Sequence, residues 1–186
     1  MSKVVQHPST ILFPVPAVLV TTVLPGQAPN IITVAWTGIM NSDPPVVYVS
    51  VRPSRHSYRL IKESGEYVIN VPSADQVREV DYCGTVSGRD GDKFAACGFT
   101  PVAGRHVRAP LIKECPVNLE CRVRQVLSLG SHDVFIADVL AVHVDQETLT
   151  DKGRLDFGKI RPWAFCVHEY FALGERIGTY GFTKKG

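Results

Sequence analysis

Long hydrophobic runs are missing from this chain. The one apolar stretch, within MSKVVQHPSTILFPVPAVLVTTVL, is broken at Pro14 and Pro16, whereas a bilayer-spanning helix needs about 20 consecutive apolar residues. The same segment has no charged start followed by an unbroken apolar core, so it does not read as a secretion signal. A cytoplasmic protein without a membrane partner is expected. Charge of one sign is also scarce. The 20 Lys and Arg against 18 Asp and Glu leave a formal charge of +2, and no dense basic run appears. That excludes a polyanion surface for nucleic acid and favours a local anion site. The five cysteines, Cys83, Cys97, Cys115, Cys121 and Cys166, are an odd number with no C-x-x-C pair. Neither a disulfide framework nor a metal site is expected, and buried free thiols are the better reading. Cys115 and Cys121 are spaced to share one strand face. No G-x-G-x-x-G follows a strand, and G-x-S-x-G and H-E-x-x-H are absent. Rossmann, α/β-hydrolase and zinc-protease chemistry are thereby excluded.

What is present is a chain of 186 residues with 45% hydrophobic and 20% charged side chains, suited to one domain, residues 1–186, with a substantial core. Strands are predicted at Ala17–Leu24, Asn30–Trp36, Val46–Val51, Tyr67–Val71, Val117–Leu127, Asp133–Val144 and Trp163–Val167. Asn41, Ser42, Asp43 and Pro44 supply a turn. A long hairpin is predicted around Leu129-Gly130-Ser131-His132. On its first arm Val117, Leu119, Cys121 and Val123 alternate with Asn118, Glu120, Arg122 and Arg124, which predicts one core face and one wet or interfacial face. Helices are few: Ser54–Ser64 with Ser54 as N-cap and Gly65 as stop, Ala74–Cys83 after Ser73, and Asp92–Cys97 before Gly98. Many strands, short helices and 13 prolines predict a mainly β barrel with a few peripheral helices.

The stretch NIITVAWTGIMNSDPPVVYVSVRPSRHS, Asn30 to Ser57, is the most informative. A helix start offers unpaired amides. With Arg55 as a planar fork of donors and Ser57 as a hydroxyl it makes a phosphate cradle. The alternative is a solvated helix start with a surface arginine. In CGTVSGRDGDKF, Gly84, Gly88 and Gly91 form a closely approachable loop from which Lys93 projects a point charge, and Ser87 adds a donor. An ordinary polar loop is the alternative. Trp36 is a core anchor or a planar wall for an aromatic ligand. His132, at the hairpin tip, is either solvated or able to hydrogen-bond a ligand or donate a proton near neutral pH. Phe165 reads as core by type.

The segments NIITVAWTGIMNSDPPVVYVSVRPSRHSYRLI, EYVINVP, CGTVSGRDGDKF, ECPVNLEC, GSHDVFIADVLAV and LGERIGTYGF, in this order, resemble the flavin reductase-like proteins of the flavoredoxin type over nearly the whole chain. The resemblance implies an FMN-binding split β-barrel, usually a homodimer with flavin near the subunit interface. It places Arg55, Ser57 and Lys93 at the phosphate and Asn30, Trp36, His132 and Phe165 around the flavin. The backbone from Thr33 through Val34 and Ala35 to Trp36 is implied to line the isoalloxazine. Ser50 and Ser87 complete the cofactor-binding set, and His132 is the candidate for contact with the flavin or the incoming donor.

The expected activity is that of an FMN-dependent oxidoreductase passing electrons from NADH, NADPH or a redox protein to an acceptor. FMN is then either prosthetic or a dissociable substrate. The competing readings are a flavin-binding module without turnover, serving as an electron store or interaction protein, and a barrel whose cations are merely superficial.

Overall fold

A computed structural model of the chain describes residues 1–184. In chain order the strands are β1 (Val18–Thr22), β2 (Asn30–Val34), β3 (Thr37–Ser42), β4 (Pro45–Val51), β5 (Glu66–Val71), β6 (Pro101–Val102), β7 (Leu111–Ile112), β8 (Val117–Ser128), β9 (Asp133–Val144), β10 (Trp163–Cys166) and β11 (Glu169–Ala172). The helices are α1 (His56–Ser64), α2 (Val77–Thr85), α3 (Lys93–Cys97) and α4 (Phe157–Ile160). Seven strands make one antiparallel sheet in the order β2-β1-β5-β8-β9-β4-β3. The pairs β6–β7 and β10–β11 stand apart. Among the described residues no helix is long and apolar enough to cross a membrane.

The two outermost strands of the sheet, β2 and β3, are joined by Ala35 and Trp36 alone. Successive Cα atoms are about 3.8 Å apart, so at this end the edges of the sheet lie within roughly 11 Å of each other. The sheet is forced to curl into a split barrel. At the seam the Ser50 amide of β4 donates to the Trp36 carbonyl at 2.9 Å. Inside the curl lie Val18, Val20, Ile32, Val49 and Phe135, with Ile61 of α1 against them. On the other face of β1 and β2, Leu19 and Ile31 pack with Val80 and Cys83 of α2 and Phe94 of α3. All five residues of β1 are therefore buried, which explains its unbroken apolar and threonine sequence.

Gly65, at φ 69°, closes α1 with its amide on the Ile61 carbonyl. Asp92 caps α3, its Oδ1 accepting from the amides of Phe94 (2.8 Å) and Ala95 (3.2 Å). Three expectations are corrected. The first is the start of α1: its N-cap is Arg55 rather than Ser54, and no side chain caps it. The expected second helix is the second: it is divided into a 3₁₀ turn, Ala74–Gln76, boxed by Ser73 and Gln76, followed by α2. The third is the turn before β4. Asn41 and Ser42 belong to β3, which confines the turn to Asp43 and Pro44. As an edge strand β3 exposes Ile39 and Met40 together across a register shift, so it carries no alternation to read.

The face of β8 expected to be wet is also corrected. Arg122 and Arg124 are exposed, but Asn118 and Glu120 are buried because the segment 104–112 covers them. Glu120 accepts from the amides of Arg105 (2.9 Å), His106 (2.6 Å) and Val107 (3.0 Å), and its Oε1 lies 2.6 Å from His143 Nε2. A Cβ on Gly104 would come within 2.7 Å of its Oε2. Cys115 and Cys121 do not share a strand face: Cys115 precedes β8 and packs in the core beneath α2, whereas Cys121 points inside the curl.

Burial alone would raise the Glu120 pKa, yet the hydrogen bonds of this nest outweigh it and hold the carboxyl at about 2 against its usual 4.5. A depressed pKa stabilises the fold fully above the unfolded value and loses that contribution as pH falls toward the folded one. Glu120→Gln should therefore lower unfolding free energy near neutral pH by about 2 kcal/mol. The gap to the parent protein should narrow as pH drops below 4.5 toward 2, as read by urea unfolding across a pH series.

Candidate functional site

A cavity of about 520 Å³ opens between the end of β4, the start of α1, β2 and the segment joining α2 to α3. Arg52, Arg55, Arg89, Lys93 and His56 line it, and no carboxylate does among the described residues. Asn30 Nδ2 donates to Ser57 Oγ at 2.6 Å with both residues buried. A hydroxyl that accepts in this way still has its own proton to give. The first turn of α1, uncapped by any side chain, adds backbone amides beside it.

Lys93 is not the projecting charge expected of a loop lysine. It is 4% exposed, and its Nζ donates to the carbonyls of Ile31 (2.9 Å) and Cys83 (2.8 Å). An ammonium has three donors, which leaves one for the cavity that Lys93 lines. Burial, with the Arg55 charge beside it, lowers its pKa. Burial followed by the charges of Arg89, Arg59 and Lys93 lowers that of His56. The cradle concentrates positive charge that an anion would relieve.

A second cavity of about 170 Å³ continues from the first and shares Ile32, Arg52 and Arg55 with it. It is a slot between the segment Ile32–Trp36, the end of β4 at Ser50 and Val51, and His132. The Trp36 and His132 rings pack at 4.3 Å with a tilt of 36°. His132 Nδ1 lies 2.9 Å from Ser131 Oγ, leaving Nε2 free. Burial and then the Arg52 charge lower its pKa, so the imidazole is neutral at pH 7 and offers a hydrogen bond rather than a charge. Among the described residues the outer edge of β2 has no strand partner. Because the Ile31 carbonyl points outward to Lys93, the two-residue repeat of a strand turns the amide and carbonyl of Thr33 to the same side.

Of the residues expected at a site, Asn30, Arg55, Ser57, Ser87 and Lys93 meet around the first cavity. Thr33, Val34, Ala35, Trp36, Ser50 and His132 meet around the second, which Arg55 also borders. Phe165 lies outside both: it pairs with Val15, and its ring packs 5.4 Å from that of Tyr170. Arg52, His56 and Arg89 also line the first cavity without being among the residues expected there. For Arg52 a signal existed, since VRPSR places it one turn-length before Arg55. Arg89 directly follows the tight Gly88.

A cationic cradle without acids, running into a narrow slot with a free strand edge, suits a ligand with a phosphate at one end and a planar, acceptor-rich ring at the other. The flavin reductase like domain model matches residues 10–171. The chain belongs to this family. Flavoredoxin of Desulfovibrio vulgaris (Miyazaki F) is 38% identical, with a TM-score of 0.92 over 99% of this chain and 100% of that one. Flavoredoxin from Methanosarcina acetivorans is 29% identical, with a TM-score of 0.90 over 99% of this chain and 98% of that one. An uncharacterized protein of Archaeoglobus fulgidus is 33% identical over 145 residues, 78% of each chain. The flavin reductase-like chain is thus a flavin-binding redox protein of the flavoredoxin type with a split-barrel fold.

Gly88 tests how tightly the cradle is built. A Cβ there would overlap Asn30 Oδ1 and lie 3.0 Å from His56 Cδ2. Gly88→Ala must rotate Asn30 away from Ser57. Flavin affinity should fall about tenfold, the equivalent of one good hydrogen bond, in a fluorescence titration, with the far-ultraviolet circular dichroism unchanged.

Proposed function

We propose that this chain acts as one FMN-binding domain and passes electrons from NADH, NADPH or a redox protein through FMN to an acceptor. The observation that carries this reading is the continuity of the two cavities through Arg52, Arg55 and Ile32. It lets one ligand place a phosphate in the cradle and a ring in the slot. Arg55, Lys93, Ser57 and the first amides of α1 hold the phosphate by charge-assisted hydrogen bonds. Asn30 fixes the Ser57 hydroxyl, and Ser87 borders the same cavity. The free edge from Thr33 to Ala35 answers the polar edge of the ring, with Ser50 across the slot and Trp36 covering apolar surface. His132, neutral and with Nε2 free, donates to the ring or to the incoming donor. Bound flavin supplies the ability to accept a hydride or single electrons and to release them singly or in pairs.

The competing reading is an electron store without turnover, which the same cradle and slot would serve equally. Absorption spectra taken after adding FMN and desalting test prosthetic binding, and stopped-flow mixing with NADH and NADPH tests turnover. The expected result is retained flavin bands and bleaching by one nucleotide. Retained bands with no bleaching would leave the store. Arg55→Ala should weaken FMN at least tenfold while changing riboflavin, which lacks the phosphate, by less than about twofold. His132→Ala should slow flavin reduction or shift its potential, and no change in either would remove His132 from the mechanism.

A homodimer is part of the same proposal. Ile39 and Met40 of β3 and Leu129 of the β8–β9 turn are 82%, 52% and 70% exposed. Ile39 and Met40 lie on β3, which follows Trp36 directly, and the Leu129 amide donates to the His132 carbonyl at 3.0 Å. A second copy over this apolar rim would bury it and close the slot. Sedimentation at micromolar concentration should show a dimer, and the double variant Ile39→Glu with Leu129→Glu should show a monomer with weakened flavin retention.

A further inference from the structure

Cys83 near the end of α2 and Cys97 at the end of α3 bring their Sγ atoms to 3.7 Å. The chain between them carries Gly84, Val86, Ser87, Gly88, Arg89 and Lys93, which form one wall of the basic cavity. The ends of this segment are already tied by the hydrogen bond from Lys93 Nζ to the Cys83 carbonyl, 2.8 Å. Cys83 is fully buried and Cys97 only partly, so an oxidant from solvent meets Cys97 first with Cys83 placed behind it.

We propose that Cys83 and Cys97 are an oxidisable dithiol whose disulfide latches the loop that walls the phosphate cradle. The consequence for the cofactor rests on the FMN reading above. The oxidant is a small-molecule disulfide. The Cys97 thiolate attacks one of its sulfurs, forming a mixed disulfide and releasing one small thiol. Cys83 then gives up its proton and attacks the Cys97 sulfur, expelling the second small thiol. Two protein thiols become one cystine, and the external disulfide is reduced by the same two electrons. An S–S bond is about 2.05 Å long, so the sulfurs must approach by roughly 1.7 Å along a contact that already exists. Burial and the neighbouring thiol raise the pKa of Cys83, and burial raises that of Cys97. The exchange is therefore slow at neutral pH and faster in alkali. Closure of this loop restrains its opening, and FMN leaves more slowly.

The test treats the reduced full-length protein with oxidised glutathione, with and without FMN. The expected result is a loss of two mass units and a linked Cys83–Cys97 peptide, both reversed by dithiothreitol and absent in Cys97→Ser. The flavin-free protein should melt about 5 °C or more higher once oxidised, as for closure of a loop this size. FMN release, followed by the return of free-flavin fluorescence, should slow at least threefold. Failure to form this bond at tens of millimolar oxidant, linkage through Cys166 instead, or a bond that leaves FMN release unchanged or faster would each overturn the proposal. The peptide mass and the melting shift are read without cofactor. A protein that binds no FMN would thus defeat the flavin reading and leave the latch to be judged on those two.

Discussion

Only Ala35 and Trp36 separate β2 from β3, although these strands are the opposite edges of a seven-stranded sheet. So short a link cannot cross an open sheet, so the chain has to curl until its edges nearly meet. Most of the site follows from that closure. The seam cannot pair fully, because β2 reaches it with a free edge while β3 bonds to β4. Backbone groups at a barrel mouth are thereby left for something other than a strand. Trp36 is the residue at the crossing, and its carbonyl is held by Ser50. Its indole therefore stands at the slot because the topology leaves it there. The hairpin tip with His132 meets it from β9, the neighbour of β4.

The cradle is fixed by a different balance. Four permanent or near-permanent cations and a histidine border one cavity with no acid among its lining, an arrangement that costs folding free energy unless it is partly satisfied. Lys93 shows how. Its ammonium is buried, yet two carbonyls from two different elements accept its protons. It therefore braces β2 against α2 while keeping a donor for the cavity. Asn30 does the same for Ser57. These residues build the wall before any ligand arrives, which reduces the ordering cost of binding. The lowered pKa values of His56 and Lys93 come first from burial and then from the neighbouring cations, and an anion would offset the second of these.

The sequence made the internal strands legible because alternation and buried runs report which side chains leave water. It could not reveal β3, whose exposed Ile39 and Met40 break the pattern, nor that Glu120 is buried. Alternation on β8 separates two faces but does not say which is covered, and the cover, residues 104–112, comes from elsewhere in the chain. Arg55 and Ser57 could be picked out as a local cluster at a helix start. The convergence of Arg52 and Arg89 on the same cavity could not, because it depends on how the α2–α3 segment folds back over α1. For Phe165 only the family resemblance points to the flavin, and in one chain it packs with Val15 and Tyr170, away from both cavities.

The unequal size of the two cavities bears on how such a protein can serve redox chemistry. The cradle, at about 520 Å³, is the anchoring end. The slot, at about 170 Å³, is the smaller and shallower end of the continuous pair, so in the proposed reading one chain would cover the ring less fully than the phosphate. In that reading affinity would reside mainly in charge at a distance from the reacting edge, and the ring would stay open to whatever approaches the seam. Ile39 and Met40 on the edge strand after Trp36, and Leu129 in the hairpin turn, are exposed apolar side chains, and in the proposed dimer they would be the surface a second copy covers. A second copy seated there would narrow access to a small donor such as a nicotinamide, whereas a bare rim would admit a protein surface. In the proposed reading the cradle would hold the phosphate, while cover over the slot would set both how closely a donor approaches the ring and how readily the ring leaves.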